Sequence, residues 1–131
     1  MTQIKLEIKD FPQKFYQAPD GSQIRVLPEM PAASLAHCTL EVGRTSLAMA
    51  HKTVSEIWHF LSGQGQVWLK QGDEEQEVSV SPGLSLTIPT GTHFQFRNTG
   101  DAPLTFLIVT MPPWPGTEDE AYRAEDYWPT V

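Results

Sequence analysis

Cysteine, basic residues and long apolar runs are all scarce in this sequence, and each shortage narrows what the protein can be. Cys38 is the only cysteine among 131 residues, so no disulfide can form within the chain, and a reducing compartment fits that usage. No stretch approaches the roughly 20 apolar residues that a membrane span requires, and the first residues carry charges throughout. Nine Lys and Arg against sixteen Asp and Glu give a net charge of -7, which disfavours nucleic acid and anionic membranes. We therefore expect a cytoplasmic protein that binds neither.

Helix signals are also missing, whereas turn residues are abundant. Eleven Pro and nine Gly separate short apolar runs at intervals of about 8 to 12 residues, which is typical of an all-β protein. We predict strands over residues 23–27, 35–42, 45–51, 56–61, 66–70, 77–80, 84–88, 93–97 and 104–111. Many short strands without crossover helices favour a single domain built as a sandwich or closed barrel.

Local patterns indicate strand faces and turns. Leu84, Leu86 and Ile88 alternate with polar residues and share one face of their strand. Residues 70–74 have the composition of a hairpin turn, and residues 98–101 have that of another. Cys38 has no readable partner for nucleophilic chemistry, so we interpret it as a small buried apolar residue.

Residues 43–63 carry a set of regularly spaced anchors. Gly43 is followed by five residues, Met49, one residue, His51, four residues, Glu56, six residues and Gly63. This order resembles the first motif of the cupin superfamily, written G(X)5HXH(X)3,4E(X)6G. The departure lies at the first histidine position, which Met49 occupies.

Residues 83–98 resemble the second cupin motif, written G(X)5PXG(X)2H(X)3N. Gly83, Pro89, Gly91 and Asn98 fall in register, and Phe94 occupies the histidine position. The resemblance implies an all-β fold, a double-stranded β-helix or jelly-roll barrel, over residues 1–111. It also implies a homodimer, because small cupins commonly pair through their sheets.

The resemblance implies that one face of each motif strand points into the barrel. The inward residues that we expect to bind a ligand are Met49, His51, Glu56, Trp58, Phe94 and Phe96. A catalytic metal normally has three protein ligands and an open position. Met49 is a soft, weak donor and Phe94 cannot coordinate, so we assign no metal. A weakly held divalent metal at His51 and Glu56 is the alternative.

Three further histidines are candidates for a site. His93 lies next to the vacant ligand position, but alternation points it to the opposite face unless a bulge turns it inward. His59 is out of phase with Trp58 and is expected to face outward or to pack between layers. The facing of His37 is left open, and a surface or satisfied histidine is the simpler interpretation for both His59 and His37.

The function stays open between three classes. The first is a small-molecule-binding cupin whose pocket centres on His51 and Glu56, with the ligand unspecified among sugars, small acids and aromatics. The second is an enzyme, either a metal-assisted oxygenase or sugar isomerase, or a metal-free isomerase or lyase using the two residues as acid and base. The third is a scaffold or interaction protein. His51 and Glu56 could also form a purely structural pair.

Residues 112–131 differ in composition from the rest of the chain. They are rich in proline and acids and contain four aromatics, namely Trp114, Tyr122, Tyr127 and Trp128. We expect this tail to dock on a barrel face, over the pocket mouth or on a second subunit. Residues 117–126 could form one or two helical turns, with Thr117 as the N-cap.

Overall fold

Strands account for all the regular structure in the part of the chain that the computed structural model describes, residues 4–115 and 120–130. The strands, numbered in chain order, are β1 (Tyr16–Gln17), β2 (Gln23–Met30), β3 (Ala33–Leu40), β4 (Met49–His51), β5 (Ser55–Ser62), β6 (Gly65–Gln71), β7 (Glu74–Val80), β8 (Ser85–Ile88), β9 (His93–Asn98), β10 (Leu104–Met111) and β11 (Ala121–Arg123). These residues include no helix long and apolar enough to cross a membrane.

The strands form two antiparallel sheets that face each other. One sheet has the order β1-β2-β3-β10-β5-β8, and the other has the order β11-β4-β9-β6-β7. Each sheet combines pairs of consecutive strands, such as β6 with β7, with pairs that are distant in sequence, such as β10 with both β3 and β5. This arrangement confirms the predicted all-β jelly-roll barrel.

Each predicted strand has a counterpart, but some bounds differ. The strand expected over residues 45–51 begins only at Met49, because Leu47 N donates to Asp20 O at 2.9 Å instead of joining a ladder. β2 continues past Pro28, where the register with β3 shifts between Val26 and Glu29. A register shift is one of the few places where a strand tolerates proline. β1 and β11 were not expected, since two or three residues are too few to show a period.

The core lies between the sheets and is built from alternating inward residues. Trp58 stacks on Phe106 with ring centroids 4.5 Å apart and meets the edge of Phe96 at 5.2 Å. Phe60 packs against the same Phe106 at 4.8 Å. These rings come from β5, β9 and β10, so one aromatic cluster ties the two sheets together. Buried aromatic clusters of this kind dominate the stability of small domains.

Two motif residues have structural roles that explain their identity. Gly63 has φ of 86°, and a Cβ there would lie 2.5 Å from Pro103 O, so only glycine fits. Asn98 Nδ2 donates to Leu40 O at 3.0 Å and to Ala102 O at 2.9 Å. The Asn98 side chain thereby fastens the predicted turn after β9 to β3. The predicted turn over residues 70–74 is also present, with Gln71 and Glu74 paired across it.

The end of the chain lies against the second sheet. Trp128 is buried, and Arg97 stacks over its ring at 4.3 Å. The one or two helical turns expected within residues 117–126 are wrong at Ala121–Arg123, which form β11 because their backbone pairs with β4. Residues 117–119 lie outside the described residues. The division into a barrel over 1–111 and a tail over 112–131 stays a prediction.

Candidate functional site

A cavity of about 160 Å³ opens between the two sheets at the β4 end of the barrel. Its walls are mostly apolar and include all six residues expected at a ligand site, which are Met49, His51, Glu56, Trp58, Phe94 and Phe96. Strand alternation brings them together, because each pair is two residues apart on β4, β5 or β9. Their role in binding a ligand stays a prediction.

Glu56 is buried and held by two donors. Trp58 Nε1 donates to Glu56 Oε1 at 2.9 Å, and Thr110 Oγ1 donates to Oε2 at 3.2 Å. His51 Nε2 lies 3.5 Å from the same Oε2. Only 6% of Glu56 is exposed, so its charge depends on these partners for stabilisation. The carboxylate is therefore fixed in place at the cavity wall.

His51 lies between two carboxylates. Its Nε2 faces Glu56, and its Nδ1 lies 3.9 Å from Glu120 Oε2. The ring stacks on Phe94 at 5.5 Å and meets the edge of Trp114 at 5.4 Å. Burial alone would lower the pKa of His51, but the hydrogen bond with Glu56 and the nearby carboxylates outweigh it and raise the pKa above its ordinary value.

Glu120 is a site residue that the sequence did not reveal. Its Oε2 accepts from Lys52 N at 2.8 Å and from Thr53 N at 3.0 Å, and its Oε1 accepts from the Thr53 hydroxyl. Burial raises the pKa of Glu120, but these hydrogen bonds together lower it below its usual range. The ionised carboxylate is thus presented to His51. No motif marks it, because it comes from the tail and only β11 pairing brings it to the barrel.

Asp20 and Ser22 form a second polar group in the cavity wall, also unmarked in the sequence. Asp20 Oδ1 accepts from Ser22 N at 2.9 Å and from Ser22 Oγ at 2.6 Å. Burial raises the pKa of Asp20. The neighbouring Cys38 is 1% exposed, and burial raises the pKa of its thiol well above the ordinary value. Cys38 thus fits the expected small buried residue, and its protonated thiol is a poor nucleophile.

The other histidines lie away from the cavity wall. His93 packs edge-on against Tyr122 at 6.4 Å, and the β6–β9 register is regular through it, so no bulge turns it inward. His59 is exposed, with Nδ1 2.7 Å from Ser85 Oγ, as expected. His37 is buried against Phe11 with its Nδ1 unpaired among the described residues, and burial lowers its pKa.

The donors around His51 do not fit a bound divalent metal. Glu56 and Glu120 face opposite nitrogens of the ring, so the three side chains do not converge on one point. Phe94 stacks on the imidazole where the motif would supply a ligand. Within residues 4–115 and 120–130 no group of three or more His, Cys, Asp or Glu has the arrangement of a metal site. His51 and Glu56 alone would supply only two ligands.

Sequence comparison defines the class of protein to which this barrel belongs. The sequence matches the Cupin domain family over residues 36–110, which is more than half of the chain. The chain is a member of the cupin family. It is similar to an uncharacterized protein of Methanocaldococcus jannaschii, with 32% identity over 112 residues that cover 82% of this chain and 86% of that protein.

Solved structures have the same fold at low identity. CapF, a capsular polysaccharide assembling protein from Staphylococcus aureus, superposes with a TM-score of 0.76 at 19% identity, covering 89% of this chain and 35% of CapF. This chain therefore spans about a third of the CapF length. Pac13, a nucleoside dehydratase from Streptomyces, superposes with a TM-score of 0.67 at 16% identity, covering 94% of this chain and 92% of Pac13. Oxalate decarboxylase from Bacillus subtilis superposes with a TM-score of 0.70 at 16% identity, covering 85% of this chain and 30% of that enzyme. These likenesses show the fold alone.

Proposed function

We propose that this chain binds a small organic molecule in the cavity between its sheets, with His51 and Glu56 as polar contacts. The observation that supports this most directly is the cavity itself, whose mostly apolar wall carries His51 and Glu56 with Nε2 and Oε2 3.5 Å apart. A mostly apolar cavity with a few convergent polar groups is typical of a small-molecule site.

The size of the cavity limits the ligand. A cavity of about 150 Å³ in another protein holds one benzene molecule, and the cavity here has a volume of about 160 Å³. The enclosed part of the ligand is therefore about the size of one six-membered ring. Trp58, Phe94 and Phe96 supply apolar contact for that ring, while His51 and Glu56 contact a polar substituent.

The test is ligand-observed NMR with a panel of single-ring molecules. We expect some of them to bind wild type, and Glu56→Gln to weaken their binding at least about tenfold, since a lost hydrogen bond to a charged group is worth roughly 1.5 to 3 kcal/mol. Glu74→Gln in the exposed β6–β7 turn is the matched control and should leave binding unchanged. Failure of the whole panel to bind would contradict the proposal and favour the scaffold alternative.

The second candidate is a metal-free isomerase or lyase, and the environment of His51 favours it. An imidazole with a raised pKa beside a carboxylate can donate a proton at Nε2 while Glu56 accepts one. Pac13, which has a similar fold over 92% of its length, is a dehydratase and thus a lyase. NMR should then detect solvent deuterium entering a bound ligand with wild type and not with His51→Gln. A ligand that binds without exchange or elimination would leave binding as the function.

The expected homodimer remains a proposal, and residues 4–8 support it. Ile4, Leu6 and Ile8 are 80%, 65% and 85% exposed, and they alternate with charged residues. Antiparallel pairing of two copies about Leu6 would bury these side chains and set Lys5 of one copy opposite Glu7 of the other. Light scattering should find a dimer for wild type, a monomer for Glu7→Lys, and a dimer again for Lys5→Glu with Glu7→Lys. A monomeric wild type would contradict the proposal.

A further inference from the structure

Asp20 offers the cavity a hydrogen-bond acceptor that the fold does not use. Both of its hydrogen bonds, from Ser22 N and Ser22 Oγ, go to Oδ1, and no described residue donates to Oδ2. Asp20 O accepts from Leu47 N at 2.9 Å, which fastens the turn to the loop before β4. The carboxylate is thus held in the wall with one oxygen unoccupied.

The ionisable side chains around the cavity are mostly acidic. Asp20 and Glu56 are in its wall, Glu120 lies behind His51, and no Lys or Arg is among the described residues that line the cavity. His51 is the single group there that can carry positive charge. A proton on Asp20 would remove one negative charge without adding a positive one. An anionic ligand would therefore meet repulsion, whereas a neutral or cationic ligand would not.

The free hydrogen-bonding capacity of the Asp20 and Glu56 carboxylates has the same character. Asp20 Oδ2 and the remaining lone pairs of the Glu56 carboxylate can only accept while these groups are ionised. A ligand that pairs with these oxygens must therefore bring hydrogen-bond donors, such as hydroxyl or amine groups.

From this geometry we propose that the ligand is a small neutral or cationic molecule bearing hydroxyl or amine groups, and that Asp20 Oδ2 accepts from one of them. The inference rests on the proposed function, since it names the ligand class for the same cavity. It excludes carboxylates and phosphates as ligands, and so narrows the choice of ligand classes that the sequence left open. It also assigns Asp20 as a specificity-determining residue.

The test compares three probes that share one ring, namely benzylamine, benzyl alcohol and benzoate, by NMR titration of wild type at neutral pH. We expect benzylamine and benzyl alcohol to bind at least about tenfold more tightly than benzoate, because the acidic side chains of the cavity wall repel only the benzoate anion. Benzoate binding as tightly as benzylamine would overturn the inference and leave the proposed function standing. If all three probes fail to bind, the proposed function itself fails.

Asp20→Asn tests the assigned residue. Asparagine keeps Oδ1 as the acceptor for Ser22 but replaces Oδ2 with a donor, so the preference for benzylamine over benzoate should fall at least about tenfold. Asp73→Asn in the exposed β6–β7 turn should leave that preference unchanged. An Asp20→Asn protein that folds and keeps the wild-type preference would overturn the role of Asp20. The probe series on wild type tests the ligand class even if that variant does not fold.

Discussion

The two faces of β9 contact different regions of the molecule, because neighbouring residues of a strand point to opposite faces. Phe94 and Phe96 face the cavity, while Gln95 between them faces the docked end of the chain. Gln95 Nε2 donates to Ser46 O and Trp128 O, both at 2.8 Å. Its Oε1 accepts from the backbone N–H groups of Tyr127 and Trp128, again at 2.8 Å. Every hydrogen bond that this side-chain amide can make with good geometry is made.

His51 is almost as enclosed as Gln95 but has no such set of partners. Its Nδ1 has no hydrogen bond within the described residues, and the Glu120 carboxylate stands 3.9 Å away. A buried polar group with its capacity filled stabilises the fold, whereas an unpaired buried polar atom costs stability. Because His37 Nδ1 is also unpaired, His51 is distinguished by its place in the cavity wall together with its missing partner.

Gln95→Leu should have the largest effect on stability. It leaves two buried carbonyl groups and two buried N–H groups without hydrogen-bond partners. We therefore expect a loss of about 4 kcal/mol in the free energy of unfolding. Urea denaturation followed by tryptophan fluorescence measures it. Gln76→Leu on exposed β7 is the control and should change stability by less than about 0.5 kcal/mol. A Gln95 variant as stable as this control would show that the docked end contributes little.

Trp128→Ala removes the ring that Gln95 holds in place. Trp128 is 8% exposed and packs with Trp68 and Ala48 beneath the Arg97 guanidinium. We expect a loss of about 3 kcal/mol, as for other buried aromatic truncations. Tyr127→Ala is a useful control, because Tyr127 is 45% exposed and should cost about 1 kcal/mol. Equal effects of the two variants would mean that the burial of Trp128 is not what anchors the chain end.

Met49→His with Phe94→His should change the cavity from a ligand pocket into a metal site. Met49 and Phe94 are cross-strand partners, so the two new histidines would stand beside His51 and Glu56. We expect stabilisation of about 2.7 kcal/mol with Zn²⁺ at a hundred times its Kd, and none for wild type. Thermal unfolding with and without the metal measures it. An equal effect of Zn²⁺ on the thermal unfolding of the variant and of wild type would mean that the two new histidines do not converge with His51 and Glu56.

Glu56→Gln should leave the fold almost intact and alter the titration of His51. Glutamine still offers an oxygen to Trp58 Nε1 and removes a buried charge, so stability should change by about 1 kcal/mol or less. The pKa of His51 should fall below its wild-type position, because Glu56 contributes more to raising it than Glu120 or Asp20 does. Histidine ring NMR resonances followed against pH measure both proteins. An unchanged His51 titration would mean that the pair is not formed in solution.

The sequence predicted the barrel well because its anchors act locally. Gly63 is required by its own positive φ, and Asn98 by the turn that it closes. The six expected cavity residues follow from strand alternation and motif spacing. Glu120 and Asp20 were missed because each depends on contacts between distant segments, namely β11 with β4 and the β1–β2 turn with the loop before β4. No local sequence pattern indicates contacts between such distant segments.

His51 and His37 should contribute to the pH dependence of stability with opposite signs. The folded-state pKa of His51 is raised, so its contribution is fully present below the unfolded value of about 6.5 and is lost as pH rises through the folded value. The folded-state pKa of His37 is lowered, chiefly by burial, so its contribution is present above about 6.5 and is lost as pH falls. Relative to wild type, His51→Gln should therefore lose more stability at pH 6 than at pH 8, and His37→Gln the reverse. Urea denaturation at the two pH values measures both differences. The same sign for both variants would contradict the assignment of His51 to an acidic cavity and of His37 to a buried place beside Phe11 and Arg25.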